Sequence, residues 1–363
     1  MADNSTNTPG ADSLRRGPMK RRMFITCLVG TAAIGWSVLK LKGTRSAHVP
    51  GGALPGTSGT RKLFKITRTT RALGTGVSLT VLHSDRAAAE EAIADAFREL
   101  GRVEDIMSLY RPESQLCQLN REGLLDHPHP YLIEVLQSAR NLSEVTDGAF
   151  DVTVQPLWQL YDENARAGTL PTQEAIRNAL ATVDWRRVEI GRDQVRINGS
   201  GTRITLNGIA QGYAADTVKR VLGEHGIRSA LIDTGEIDAI GQTSGDRDWT
   251  IGIKHPRKMG EFLSLAALQN RALATSGDYE TKFSDDYRLN HLLDPKTGRS
   301  PDELSSVSIA APTALQADAL STAVFILGMA EGRRLVESTP GTDALFVTKL
   351  GQVERTAGFP IVG

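Results

Sequence analysis

The stretch Ile204-Thr205-Leu206-Asn207-Gly208-Ile209-Ala210-Gln211-Gly212-Tyr213-Ala214-Ala215-Asp216 decides how the rest of the chain is read. Ile204, Thr205 and Leu206 are β-favouring or apolar and read as a short strand. The chain bends at Asn207-Gly208 and runs on as a helix to about Glu224. Gly208 and Gly212 lie four apart, share a helix face and leave bare backbone there. Two uses of that bare face stay open. The helix can lie tightly against a sheet, or its free N–H groups can meet an anion such as phosphate.

The chain has 363 residues, with 42 basic and 42 acidic side chains and a formal net charge of zero. That balance argues against general nucleic-acid binding, which needs an excess of Lys and Arg. The only cysteines are Cys27 and Cys117, in no C-x-x-C pattern, which excludes zinc ribbons and thioredoxin-like redox motifs. Residues 1–47 read as a polar, disordered N-terminus followed by Lys20-Arg21-Arg22-Met23-Phe24 and an apolar run from Cys27 to Leu39. Paired arginines before an apolar segment have the pattern of a twin-arginine export signal. The expectation is a periplasmic protein whose leader is either removed or kept as an inner-membrane anchor. Residues 48–61 are rich in Gly, Pro, Ser and Thr and read as a linker, and residues 62–363 as the catalytic domain.

Along that domain, Val77 to His83 reads as a strand. A helix capped by Asp85 spans about Arg86 to Met107. Met107-Ser108-Leu109-Tyr110 leads into a loop at Pro112, in which Tyr110 is either a site residue or a core anchor. A second helix from about Pro130 to Thr146 stops at Asp147-Gly148. In the extended run that follows, Asp151 and Thr153 point the same way. Asp151 needs a partner among apolar neighbours, either a backbone amide or a ligand. Further strands are expected near Val188, Val195 and Ile204, over Arg228 to Asp233, Trp249 to Ile253, Ser264 to Leu268 and Val307 to Ala310, and over Asp343 to Val347. Short strands are also expected at Ala272 to Ala274 and His291 to Leu293, and helices at Glu174 to Val183 and Thr313 to Leu327. Strands and helices are interspersed without a regular βαβ count, so the fold class is α+β.

On the Thr313 to Leu327 helix, Asp318 and Thr322 lie four apart, so a carboxylate and a hydroxyl stack on one face. Hard oxygen ligands at that spacing suit Mg²⁺. The spacing alone also fits an ordinary hydrogen bond.

Taken together, these motifs resemble the FAD:protein FMN transferases, the ApbE-type flavin transferases. The residues that carry the likeness run in order over about Leu73 to Gly328. They are Met107-Ser108 with Tyr110, Gly148-Ala149-Phe150-Asp151-Val152-Thr153, and Leu206 to Tyr213. After these come Leu231 to Glu236, Ala274-Thr275-Ser276-Gly277, His291 with Asp294-Pro295-Lys296-Thr297-Gly298, and Ala317 to Ala323. The resemblance implies a one-piece, T-fold-related α+β fold with mixed or antiparallel sheets and flanking helices. It implies FAD and Mg²⁺, and transfer of FMN to a Thr or Ser hydroxyl of a target flavoprotein with AMP leaving. The adenine and ribose end would lie near Tyr110, Ala149, Phe150 and Asp151, and the flavin near Leu73, Thr275 and Ser276. Gly208 and Gln211 would face the phosphates. Asp318, Thr322 and the Ala210 carbonyl would hold the metal, and His291 would activate the acceptor hydroxyl, unless it serves only as a structural hydrogen bond. Gln211 and Glu236 stand where many relatives carry Lys and Gly, as in the NosX-like branch, which implies a NosR-like membrane acceptor. Rival readings are an FAD pyrophosphatase and a non-catalytic flavin-carrying maturation factor.

Overall fold

A computed structural model of the chain describes residues 63–243 and 245–362. The expected leader (1–47) and linker (48–61) lie outside them. Strand β1 (Phe64–Ala72) turns at Leu73-Gly74, both with positive φ, into β2 (Thr75–His83). Asp85 then caps α1 (Arg86–Met107) by accepting the Ala87 and Ala88 N–H groups at 2.8 and 3.2 Å. Ser114 caps α2 (Gln115–Glu122), and β3 (Leu124–Asp126) and α3 (Pro130–Val145) follow. The middle of the chain holds α4 (Gln155–Arg166), α5 (Gln173–Leu180), β4 (Val188–Ile190) and β5 (Gln194–Ile197). After α6 (Ala210–Glu224) come β6 (Ala230–Asp233), β7 (Ile237–Ile240), β8 (Trp249–Lys254) and β9 (Phe262–Leu268). The chain closes with β10 (Ala272–Gly277), β11 (Leu304–Ala311), α7 (Ala314–Ser338), β12 (Asp343–Thr348) and β13 (Val353–Arg355).

Eight strands form one antiparallel sheet in the order β1-β2-β6-β7-β10-β11-β12-β13. Alternation along the strands assigns each face its own core. Ala272, Ala274, Val307 and Ile309 face the main core under α1, α6 and α7. Leu273, Ala310 and Leu345 face the opposite way, against Trp249, Ile251 and Leu268 of the β8–β9 hairpin. The central strand β11 is therefore buried along its whole length. A smaller sheet, β3-β5-β4, and a cluster of Leu157, Tyr161, Ile176 and Leu293 complete the domain.

Several local expectations are corrected. Ile204 to Leu206 is extended but joins no ladder; the Asn120 side chain bonds both the N–H and the carbonyl of Ile204, at 2.7 and 2.8 Å, as a neighbouring strand would. Residues 291–293 form no strand either: the His291 N–H goes to the Thr281 carbonyl and the Leu292 N–H to the Asn290 side chain, at 3.0 Å each. Asp151 does not lie in an extended run but starts a 3-10 turn over Val152–Val154, its carboxylate taking the Thr153 N–H. The α7 helix breaks at Gly328 (φ 79°) and resumes to Ser338.

Gly208 precedes α6 rather than lying in it, yet it and Gly212 both meet α7. A Cβ on Gly212 would stand 2.2 Å from the Ala314 carbonyl oxygen and 2.8 Å from the Asp318 Cβ. Neither neighbour can yield, since one is backbone and the other is buried. Gly212→Ala is therefore expected to lower unfolding stability by about 1–3 kcal/mol through overpacking. A urea denaturation midpoint equal to wild type would contradict this contact.

Candidate functional site

The start of α6 has no side-chain cap. Its Gly212 N–H donates instead to Asp318 Oδ2 at 2.9 Å. The expected anion-ready helix start thus already faces an acidic group of the protein. Asp318 is 5% exposed, and its other carboxylate oxygen has no protein donor among the described residues. One turn on, the Thr322 hydroxyl lies 3.0 Å from where a Gly208 Cβ would stand, with the Phe150 ring 3.5 Å from the same point. Ser276, at the end of β10, reaches Ser321 at 2.7 Å and Thr322 at 3.3 Å. Gly208, Phe150, Ser276, Asp318 and Thr322 are therefore brought together, with Ala210 at the first position of α6. Thr275 takes the opposite sheet face, where its hydroxyl meets Ser308 at 2.8 Å.

The expected adenine-side residues lie on a braced rim. Ala149 and Phe150 are buried, and Tyr110 is 69% exposed, so it is no core anchor. The Asp151 carboxylate is fully engaged. Oδ1 accepts the Thr153 N–H and hydroxyl at 2.7 and 2.6 Å, and Oδ2 accepts the Trp185 N–H at 3.0 Å. Of the two partners open from the sequence, the backbone amide is the one the fold supplies. Glu104, which sequence reasoning passed over, joins two distant expected residues: it accepts the Leu73 N–H at 2.9 Å and pairs with Arg111, next to Tyr110. Lys296 meets Asp147 at 2.5 Å, tying the turn after His291 to the loop before Ala149.

His291 stands on a loop whose main chain anchors it. Its N–H and its Nδ1 both lie against the Thr281 carbonyl, at 3.0 and 3.3 Å. An Nδ1–H donated to that carbonyl leaves Nε2 with the lone pair, the tautomer a general base requires. Burial lowers the imidazole pKa, so the ring is neutral near pH 7.

The Asp318 end of the site has an unusual charge balance. Burial pushes Asp318 up to about 7. Glu236, in the β6–β7 turn, is raised by burial and then by the Asp318 charge. A divalent cation fits this set, since Mg²⁺ takes one or two carboxylates with neutral oxygens and leaves positions for water and phosphate. Among the described residues, no three His, Cys, Asp or Glu side chains converge, so an all-acidic cage is not the arrangement here. Behind the site, Asp216 fixes the start of α7 by accepting the Ala314 and Leu315 N–H groups at 2.9 and 2.8 Å. Asp238 lies beside it, fully buried, with one oxygen on Lys219 at 2.9 Å and the other without a partner.

A model of the ApbE family matches residues 73–346. An FAD:protein FMN transferase of Treponema pallidum is 31% identical over 303 residues, covering 76% of this chain and 83% of that protein. The crystal structure of the ApbE protein of Thermotoga maritima matches with a TM-score of 0.73 at 30% identity, over 82% of this chain and 97% of that one. The flavin transferase ApbE of Vibrio cholerae gives a TM-score of 0.73 at 25% identity, over 82% and 99%.

The Asp238 pair behind α7 yields a pH test. Burial raises this carboxyl from an ordinary 3.8 to about 7. Between those values the folded state keeps a proton that the unfolded state has released. Stability is therefore full below the lower value and falls as pH rises through the upper one. Asp238→Asn is expected to flatten that decline by on the order of 2–3 kcal/mol. Urea unfolding across the window checks it; parallel pH profiles for the two proteins would refute it.

Proposed function

The chain belongs to the ApbE family and is an FAD:protein FMN transferase, and on that premise we propose how its own residues carry the reaction. The observation that supports the reading is the convergence of Asp318, Thr322 and Ser276 on the Gly208–Gly212 turn. Asp318, Thr322 and the Ala210 carbonyl would hold Mg²⁺, which would supply neutralisation of charge developing on the pyrophosphate. Gly208 keeps the turn free of side-chain bulk, so a phosphate can approach backbone there. Gln211, whose side chain lies against Gly235 with Nε2 2.9 Å from the place of a Cβ, contributes a neutral amide at the same edge.

A target Thr or Ser hydroxyl attacks the FMN-side phosphorus. Its proton passes to His291 Nε2, the new phosphoester bond forms, and the bond to the AMP oxygen breaks. Most of the catalysis is positioning and charge neutralisation, as in other phosphoryl transfers. Leu73 and Ser276 border the flavin end; the Thr275 side chain, on the other face of the sheet, does not. Tyr110, Ala149 and Phe150 border the adenine and ribose end, on the frame that Asp151 holds. The acceptor is an exported or membrane redox protein of the NosR-like kind, in keeping with Gln211 and Glu236 and with the arginine pair ahead of Phe24. Residues 62–363 form the catalytic domain, delivered to the periplasm by the twin-arginine signal or tethered there by it. Among the described residues, no helix is long and apolar enough to cross a membrane.

Incubation with FAD, Mg²⁺ and a candidate acceptor should yield an acceptor heavier by one FMN in intact-protein mass spectrometry. Asp318→Ala should abolish the adduct, and His291→Ala should keep FAD binding while slowing transfer about 10²–10⁴-fold. Full transfer by Asp318→Ala would remove the metal assignment. AMP release at an undiminished rate without acceptor would make water the acceptor instead.

A further inference from the structure

His291 lies on a loop that leaves β10 after Gly277. Its main chain forms a loose hairpin. The Phe283 N–H reaches the Leu289 carbonyl at 2.7 Å, and the His291 N–H reaches the Thr281 carbonyl at 3.0 Å. Asp278 stands at the base of this loop and Tyr287 near its tip, with Thr281 between them. Two cations from elsewhere in the fold each join base to tip. Arg257 donates to both oxygens of Asp278 at 2.7 Å, and its guanidinium lies 4.3 Å from the centre of the Tyr287 ring. Lys349 lies 3.7 Å from Asp278 Oδ2 and donates to the Tyr287 carbonyl at 2.9 Å.

Neither cation belongs to the loop. Arg257 stands in the turn between β8 and β9, where His255 Nδ1 accepts the Arg257 and Lys258 N–H groups at 3.0 and 3.2 Å. Lys349 follows β12 directly. The Asp278 side chain is fully buried, so it depends on its partners. Tyr287 has φ 61°, a left-handed conformation that a bulky residue keeps only when its surroundings hold it. Asn290, buried beside His291, adds its Nδ2 to the same Tyr287 carbonyl at 3.2 Å. Between the clamped base and the clamped tip, the Thr281 carbonyl receives both the N–H and the Nδ1 of His291. A planar, two-pronged guanidinium fixes orientation there, which an ammonium, as a point charge, does not.

We propose that Arg257 is a positioning residue for the transfer, an assignment that rests on the reading of His291 as the base. By clamping Asp278 and Tyr287 it fixes the Thr281 carbonyl against the imidazole. That contact selects the Nδ1–H tautomer and leaves Nε2 free to take the acceptor proton. Lys349 supports the same clamp from the other side of Asp278. Both act through the loop rather than on the reacting atoms. Loosening the clamp frees the ring from the carbonyl, and neutral imidazole reverts toward the Nε2–H form, which cannot accept a proton at that nitrogen. Misplacing a catalytic group by about 1 Å costs on the order of 10²-fold in rate.

The first readout needs neither FAD nor an acceptor. Long-range ¹H–¹⁵N NMR spectra of the ¹⁵N-histidine-labelled full chain, above neutral pH, report each ring's tautomer, and His291→Ala identifies the His291 signals. The wild type should show the Nδ1–H form. Arg257→Lys, which keeps the charge and loses the two-pronged bond, should shift His291 toward Nε2–H. Lys349→Met should shift it the same way, and carries the test if circular dichroism shows Arg257→Lys to be unfolded. With an acceptor that the wild type flavinylates, Arg257→Lys should lower kcat about 10–100-fold and leave KM for FAD unchanged. In the His291→Ala background it should cost nothing further. A wild-type tautomer in the folded variants, or a rate loss that adds in full to that of His291→Ala, would overturn the positioning role. Transfer by His291→Ala at the wild-type rate would overturn the base assignment instead.

Discussion

The Gly212 N–H bond to Asp318 is the contact on which the rest of the site depends. It exists because Gly212 has no Cβ, so α6 can lie directly against the first turns of α7. That approach brings an acidic side chain from late in the chain to the glycine turn in its middle. Asp216, four residues after Gly212, caps α7 from the same helix and so fixes where along α7 the contact falls. The distance between two helices is thus set by one missing methyl group and their registry by one carboxylate.

The electrostatics follow from that packing. Elsewhere the fold satisfies its buried acids with internal partners, as Arg257 does for Asp278. At the α6–α7 crossing Asp318 has a single backbone donor among the described residues, and its carboxyl is raised chiefly by burial. Such an unpaired buried acid suits a cation that arrives together with an anionic substrate. The neutral, main-chain-anchored His291 suits the other half of the task, accepting a proton without competing for that cation.

Much of the scaffold was legible because its signals are local. Asp85 and the three-four spacing after it fix α1, and the bounds of α6 and the first part of α7 follow from glycine and helix periodicity. Strand β1 was missed because most of its side chains are exposed, so it lacks the apolar alternation that marks a half-buried strand. Helices α2 and α4 were missed beside clearer loop and turn signals. The strand expected at Ile204 failed for a non-local reason: Asn120, far away in sequence, takes the place of a strand partner. In the site, the pairing of Asp318 with Thr322 could be read from spacing. That Glu104 links Leu73 to the Tyr110 loop could not, because nothing local encodes a contact made across the fold.

The most direct measurement is a crystal structure with FAD and Mg²⁺ bound. The account requires electron density for a metal at about 2.0–2.1 Å from oxygens of Asp318 and Thr322. The pyrophosphate should cross the Gly208–Gly212 turn, and the flavin-side phosphorus should be open toward His291. A dinucleotide bound elsewhere, or a metal that leaves Asp318 untouched, would contradict it.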